Sequence, residues 1–237
     1  MTICNPIRGA TPARLAAFCI AIAAWLTAVP ASAQISLLQD TETERTLKSY
    51  EDPIIKAAGL DPGAVKLYIV NDPTINAFAA EGQNIFVNSG LFIQLRTPNE
   101  LIGVLAHETG HIAGGHLSRD TTAMKKAYVP MLLSMIVGIA AAAAGGGDAS
   151  MAIMMAGQQA AMAQFNQFSR AQEATADTMG QKYLRMTHQS GEGMVNVFQR
   201  MADESARASA HPDRYATDHP ADRDRVATLQ TIADSSP

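Results

Sequence analysis

Residues 105–116 read LAHETGHIAGGH, which puts three of the chain's six histidines and one glutamate within twelve positions. His107 and His111 are four apart, so on a helix they lie about 40° from each other and project from one face. Two imidazoles held in that way can share one tetrahedral Zn²⁺. Glu108 is offset from His107 by about 100°. It would stand beside such an ion rather than on it, where its carboxylate can take a proton from a bound water. That geometry is why the spacing H-E-x-x-H carries hydrolytic chemistry. His116 lies beyond Gly114-Gly115 and about half a turn round from His107, so it reads as structural.

The dodecamer carries its own helix signals. Thr97-Pro98-Asn99-Glu100 supplies a capping hydroxyl, a proline at the first helical position and a glutamate three residues after the cap. Leu101, Val104 and Leu105 follow at helical spacing, and Gly114-Gly115 ends the run.

A catalytic zinc needs a third protein ligand and one open position. SRAQEATADTMG (169–180) offers Glu173 on a predicted helix, with Asp177 one turn further along the same face. A glutamate oxygen can ligate, while the aspartate can accept from an imidazole N–H and orient the ring. Two solvated acids on an ordinary helix would look the same in isolation.

Upstream, Gln34 to Gly59 is polar and helix-compatible, with a start expected at Asp52-Pro53 and a stop at Gly59. VKLYIV (65–70), INAFAA (75–80) and IFV (85–87) read as strands, with turns at NDP (71–73) and EGQN (81–84). A small antiparallel sheet is expected.

Downstream, residues 128–165 form two apolar, Ala/Met-rich arms about a Gly-Gly-Gly-Asp hinge. A buried helical hairpin and a flap touching membrane both suit this composition. Val129 to Ala144 would span about 24 Å as a helix, short of a hydrocarbon core of about 30 Å. A flap that packs on the domain and can meet lipid is therefore expected rather than a spanning pair, with methionines giving an adaptable surface. Three further helices are predicted at 166–187, 192–207 and 220–234. The fold class is α+β, mainly helical.

The N-terminus reads as a secretory signal peptide over residues 1–33. Arg8 and Arg14 precede an apolar run from Leu15 to Val29, then Pro30 and Ala31-Ser32-Ala33. Cleavage is expected between Ala33 and Gln34, leaving 34–237 as one metallopeptidase domain with 128–165 inserted in it. Both cysteines, Cys4 and Cys19, lie in the leader, so any metal must be held by His, Asp or Glu. The chain has 18 basic and 22 acidic residues, and losing the leader arginines deepens the acidity. No Lys/Arg cluster stands out, so no nucleic-acid partner is expected. An exported, cysteine-free, acidic chain suits the bacterial periplasm.

INAFAA with IFVNSGL, HETGH, SRAQEATAD and HPADRDRV, in that order across nearly all of the mature chain, resemble the HtpX- and BepA-type zinc metallopeptidases. These are gluzincins that also include LoiP and the mitochondrial Oma proteases. The resemblance implies a zincin-like catalytic domain in which His107, His111 and Glu173 ligate zinc, Glu108 is the catalytic base and Asp177 supports the ligands. It further implies that Asn76-Ala77-Phe78-Ala79 is an edge strand pairing with extended substrate by β-augmentation. His219 would block zinc's fourth position or help bind the transition state. Arg225 would stabilise the oxyanion or pair with a carboxylate. Larger periplasmic members carry a C-terminal helical-repeat domain, and this chain resembles a compact member without one. The implied function is endoproteolysis of unfolded or misassembled outer-membrane proteins. A chaperone or assembly factor with latent protease activity is the alternative, and a purely structural zinc site a third reading. His188 and His211 have no supporting pattern.

Overall fold

Order along the chain places the site on a long helical frame beside a short sheet. The computed structural model describes residues 36–80, 82–207, 219 and 223–235; the expected leader, the hinge of its cleavage and His211 lie outside them. Among the described residues the strands are β1 (Leu37–Leu38), β2 (Lys66–Val70), β3 (Ala77–Ala80) and β4 (Asn84–Asn88). The helices are α1 (Thr41–Ala57), α2 (Ser89–Gln94), α3 (Pro98–Ala113), α4 (His116–Ala143), α5 (Gly147–Met186), α6 (Glu192–Arg207) and α7 (Arg223–Asp234). This is an α+β, mainly helical fold, as the sequence indicates.

The sheet is mixed, not purely antiparallel. Its order is β1-β2-β4-β3, with β2 and β4 parallel and the other two pairs antiparallel. The cause lies in residues 71–76, which cross the end of β4 instead of turning back on β2. Asp72 O accepts from Gly90 N–H and from the Ser89 hydroxyl, both at 2.9 Å, and Asn88 Nδ2 donates to Thr74 Oγ1 at 2.9 Å. Gly90 permits this crossing, because a Cβ there would fall 2.1 Å from Pro73 O. β3 is thereby carried to the outer edge, and Gly82, at φ +88°, turns the chain back so that β4 enters between β2 and β3. Ile85, Val87 and Ala77 face the core, while Tyr68, Phe86 and Phe78 stack across the other face.

α1 begins at Asp40, whose carboxylate caps the Glu42 N–H at 3.3 Å and also binds the Thr43 hydroxyl. The expected start at Asp52-Pro53 is therefore corrected: Pro53 sits inside the helix. Burial of Leu47, Ile54 and Ile55 on one face offsets the donor that proline removes. Gly59, at φ +74°, follows the helix end.

Glu51 is also buried on α1, with Oε1 lacking a partner, and burial pushes its carboxyl up to about 7. The folded state thus holds a proton that the unfolded chain releases near 4.5. That contribution is full below about pH 4.5 and is lost as pH rises through about 7, a penalty of about 3 kcal/mol above neutrality. Glu51→Gln is expected to raise stability at pH 8 by about that amount and to change it little at pH 4.5. Urea melts at the two pH values check this, and an equal effect at both would contradict it.

α3 is the centre of the fold, buried from Glu100 to Ile112. Its start is built as predicted. Thr97 Oγ1 accepts from Glu100 N–H at 3.3 Å, and the Glu100 carboxylate reaches back to Arg96 N–H at 2.7 Å. Arg200 of α6 grips both Glu100 oxygens at 2.7 and 2.8 Å, pinning the helix start from the opposite side.

The apolar arms belong to longer helices than predicted. α4 and α5 run unbroken for 28 and 40 residues and meet at Ala144–Gly146, with Gly145 at φ +89°, so no separate helix begins at 166. The arms pack on each other through small residues. A Cβ on Gly138 would lie 2.8 Å from Met154, and one on Gly157 would overlap Ser134. Their outward side chains are not packed on the domain: Leu133, Ile136 and Met151 are 58–66% exposed. That corrects the expected packed flap. α4 is long and apolar enough to cross a membrane.

Candidate metal centre

Three elements converge on one buried point. α3 brings His107, Glu108 and His111, α5 brings Glu173 and Asp177, and His219 approaches from beyond α6. Nε2 of His107 lies 3.0 Å from Nε2 of His111, 3.3 Å from Glu173 Oε2 and 3.3 Å from Nδ1 of His219. Glu173 Oε1 lies 3.3 Å from Nε2 of His111 and 3.2 Å from Nδ1 of His219. One imidazole nitrogen offers a single proton or a single lone pair, so three such neighbours cannot all be hydrogen-bonded to it. A cation between the four donors would satisfy them together. Donors 2.0–2.1 Å from a tetrahedral Zn²⁺ are about 3.3 Å apart, close to the spacings here. The four donor atoms all lie within 4.8 Å of one another. The residues present fit such an ion.

Each ring is oriented from behind. Nδ1 of His107 faces Asp177 Oδ1 at 3.0 Å, which turns Nε2 towards the centre. Asp177 is itself held by Arg225, whose Nη2 donates at 2.8 Å, and Nη1 of the same guanidinium lies 2.8 Å from Glu173 Oε2. Arg225 stacks 4.5 Å over Phe198, and Phe198 meets the His107 ring edge to face. For His111 the corresponding partner is His116, with the two Nδ1 atoms 3.0 Å apart. The sequence missed that role. Gly115 takes φ +63°, which ends α3 and restarts the chain as α4 with the His116 ring folded back against His111.

Burial favours a neutral Glu173, yet the charge of His219 and hydrogen bonds from His107, His111 and His219 outweigh it and hold the carboxyl well below its usual range. Burial dominates at Glu108 and raises its pKa, against the lowering influence of His219, His107 and the Ala79 N–H. Burial likewise pushes His111 down to about 3. For His107 burial is outweighed by Asp177 and Glu173, which bring it up to about 9.

Close helix packing sets this geometry. Gly110 lies against α5 at Ala176, the residue before Asp177, and a Cβ there would come 2.7 Å from Ala176 O. Gly110→Ala must push α5 away, because the clash is with backbone. It is expected to cost about 1–3 kcal/mol and to lower bound metal. Thermal melts and metal analysis of the purified variant check this, and full metal content with unchanged stability would contradict it.

A cleft of about 510 Å³ opens beside the donors. Asn76, Phe78 and Ala79 line it, as do Glu108, His111, Glu173 and His219. Ala77, the remaining residue of the predicted substrate strand, is fully buried and faces the core. β3 is the sheet's edge strand at this cleft, and Ala79 N–H donates to Glu108 Oε2 at 3.1 Å. Nε2 of His219 lies 3.6 Å from Glu108 Oε1. Arg225 stands behind the donors, paired with Asp177 and Glu173. His188 is exposed, in the left-handed region at φ 57°, and is not among the four donors.

The sequence profile of Peptidase family M48 matches residues 41–233. The beta-barrel assembly-enhancing protease of Yersinia pestis is 32% identical over 166 residues, covering 70% of this chain and 34% of that protein. Metalloprotease LoiP of Escherichia coli is 36% identical over 170 residues, covering 71% and 62%. Mitochondrial metalloendopeptidase OMA1 of Schizosaccharomyces pombe is 28% identical over 177 residues, covering 75% and 49%. The chain thus spans about a third of the Yersinia relative and less than two thirds of LoiP.

Proposed function

Because the chain belongs to peptidase family M48, we propose that it is a zinc-dependent endopeptidase acting on unfolded or misassembled outer-membrane proteins in the periplasm. The observation that carries this reading is the convergence of four buried donors on one point, with Glu108 beside them at the end of an open cleft. His107, His111 and Glu173 are the ligands in this reading, and Asp177 and His116 orient the two rings. Bound there, zinc supplies a Lewis acid that polarises a carbonyl and lowers the pKa of a water.

The chain's own residues do the rest. β3 aligns an extended segment by backbone pairing, which is weakly sequence-dependent. Glu108, whose pKa burial raises, takes a proton from the attacking water and returns it to the leaving amine. His219 occupies the side of the cluster that the water needs, so it must move aside for catalysis. Arg225 holds Asp177 and Glu173 in place.

The substrate class rests on two supports. Relatives at 28–32% identity are named for enhancing β-barrel assembly, and the exposed apolar faces of α4 and α5 suit contact with unfolded chains or a membrane surface. The same exposure, with His219 over the centre, favours a second reading: a chaperone whose proteolysis is latent. The test is to measure zinc in the purified protein and incubate it with an unfolded β-barrel protein with and without a chelator. Chelator-sensitive cleavage supports the peptidase. Stable binding without cleavage, unchanged by chelator, supports the chaperone.

A further inference from the structure

α4 and α5 leave the domain as a two-helix ridge whose seam and outer surface differ in character. The seam is built from small residues. Gly138 lies against Met154 and Gly157 against Ser134, whose hydroxyl bonds back to Met131 O at 2.8 Å. The outer surface of α4 carries Leu132, Leu133, Met135, Ile136, Val137 and Ile139, all exposed. At 100° per residue these positions cover about 200° of the helix circumference. A helix that docks on protein needs an apolar stripe of about 100°. Apolar side chains over twice that arc, on a convex ridge, suit surroundings that are themselves apolar.

Charge identifies those surroundings. Between Lys126 and Arg170 the sequence holds one charged residue, Asp148, at the tip of the hairpin. Arg119, Lys125 and Lys126 are exposed at the base of α4, where residues 119–126 carry three basic residues against one acidic. The seam contacts, 134 on 157 and 138 on 154, set the exposed Tyr128 and Phe165 at one level of the two arms, within about 3 Å. An apolar ridge ending in a tyrosine and a basic collar follows the order of a bilayer from acyl chains to anionic headgroups. Depth follows as well. Among the described helices only α4 is long and apolar enough to cross a membrane. α5 would have to return beside it with Gln158, Gln159 and Gln164 exposed. A crossing would also carry Asp148 through the hydrocarbon, which is costly.

We propose that the hairpin docks this protein on an anionic lipid bilayer as a monotopic anchor. The outer face of α4 sinks into one leaflet, and the glutamines of α5 stay at headgroup level. Helices held in this way lie about 5–10 Å into the boundary between headgroups and acyl chains. Phe165 also lines the cleft beside the donors, and Glu173 follows eight residues, about 12 Å of helix, further on. The cleft therefore opens close to the bilayer surface. The anchor is independent of the peptidase reading, because Lys125, Lys126, Leu133 and Ile136 lie outside the donor set and the cleft lining.

Flotation with phosphatidylethanolamine–phosphatidylglycerol vesicles, beside vesicles of phosphatidylcholine alone, provides the test. The protein is expected to float with the anionic vesicles. Lys125→Glu with Lys126→Glu should weaken that partition about tenfold or more, as should Leu133→Asp with Ile136→Asp. All four side chains are exposed, so thermal melts should match the native protein and any hydrolysis of a short soluble peptide should be unaltered. In a Trp25→Phe background, tryptophan placed at Ile136 should be quenched by brominated acyl chains, and tryptophan placed at Gln159 far less. Failure of the native protein to float, or native-like flotation of Leu133→Asp with Ile136→Asp, overturns the anchor. Equal quenching at both positions by deeply placed bromines also overturns it, in favour of a spanning pair. Self-association that these aspartates abolish, without vesicle binding, assigns the ridge to a second copy instead. Flotation without peptide cleavage sinks the peptidase reading and leaves the anchor standing.

Discussion

Glu108→Gln is expected to lower peptide hydrolysis by about 10²–10⁴-fold while leaving zinc content unchanged. The amide keeps the shape of the carboxyl but cannot accept and return a proton. Glu108 is not among the four donors that crowd together, so its loss should not release the ion. The Ala79 N–H has an oxygen to bind in the variant, so β3 should stay in place. Activity within threefold of the native protein would remove Glu108 from the chemistry. A variant inactive on peptides that still fully rescues a deletion strain would instead favour the chaperone reading.

His219→Ala is expected to act in the opposite direction, raising turnover about tenfold or more. In the structure Nδ1 of His219 stands 3.2–3.3 Å from His107 and Glu173, at the corner of the donor set that a water must take. If the open state is a small fraction of the population, activity is reduced by that fraction, and removing the competing ring returns it. Steady-state kinetics on one peptide decide the matter. A fall in kcat would mean that His219 assists the transition state rather than closing the centre. Cobalt-substituted protein adds an independent check, because the native and His219→Ala spectra should differ in coordination when the ring is a ligand.

How much of this was legible depends on how local each cause is. The start of α3 could be read because Thr97, Pro98 and Glu100 act on their own turn, and the histidine spacing follows from the helix pitch alone. The sequence offers Glu173 as a candidate third ligand with another acid one turn on, a pattern two solvated acids would share, and the resemblance selects between the two. The placement of Glu173 depends on Gly110 letting α5 approach α3, a contact between residues 66 positions apart. Sheet order failed for a related reason. Alternation identifies strands but not which one lies in the middle, and the crossing by 71–76 depends on Gly90 meeting Pro73. Pro53 misled because a proline at a helix start and one tolerated within a helix look alike until the buried face is known. His116 lay hidden behind a glycine pair that reads as an ending but also redirects the chain.

On the peptidase reading, the hydrogen bond from Ala79 to Glu108 ties the proposed recognition strand to the proposed proton acceptor. That amide is one of the influences lowering the carboxyl's proton affinity. An incoming chain that draws the amide into its own ladder leaves the carboxylate more basic at the moment a peptide bond arrives. Arrival of substrate would then strengthen the base, and the empty enzyme would keep a weaker one.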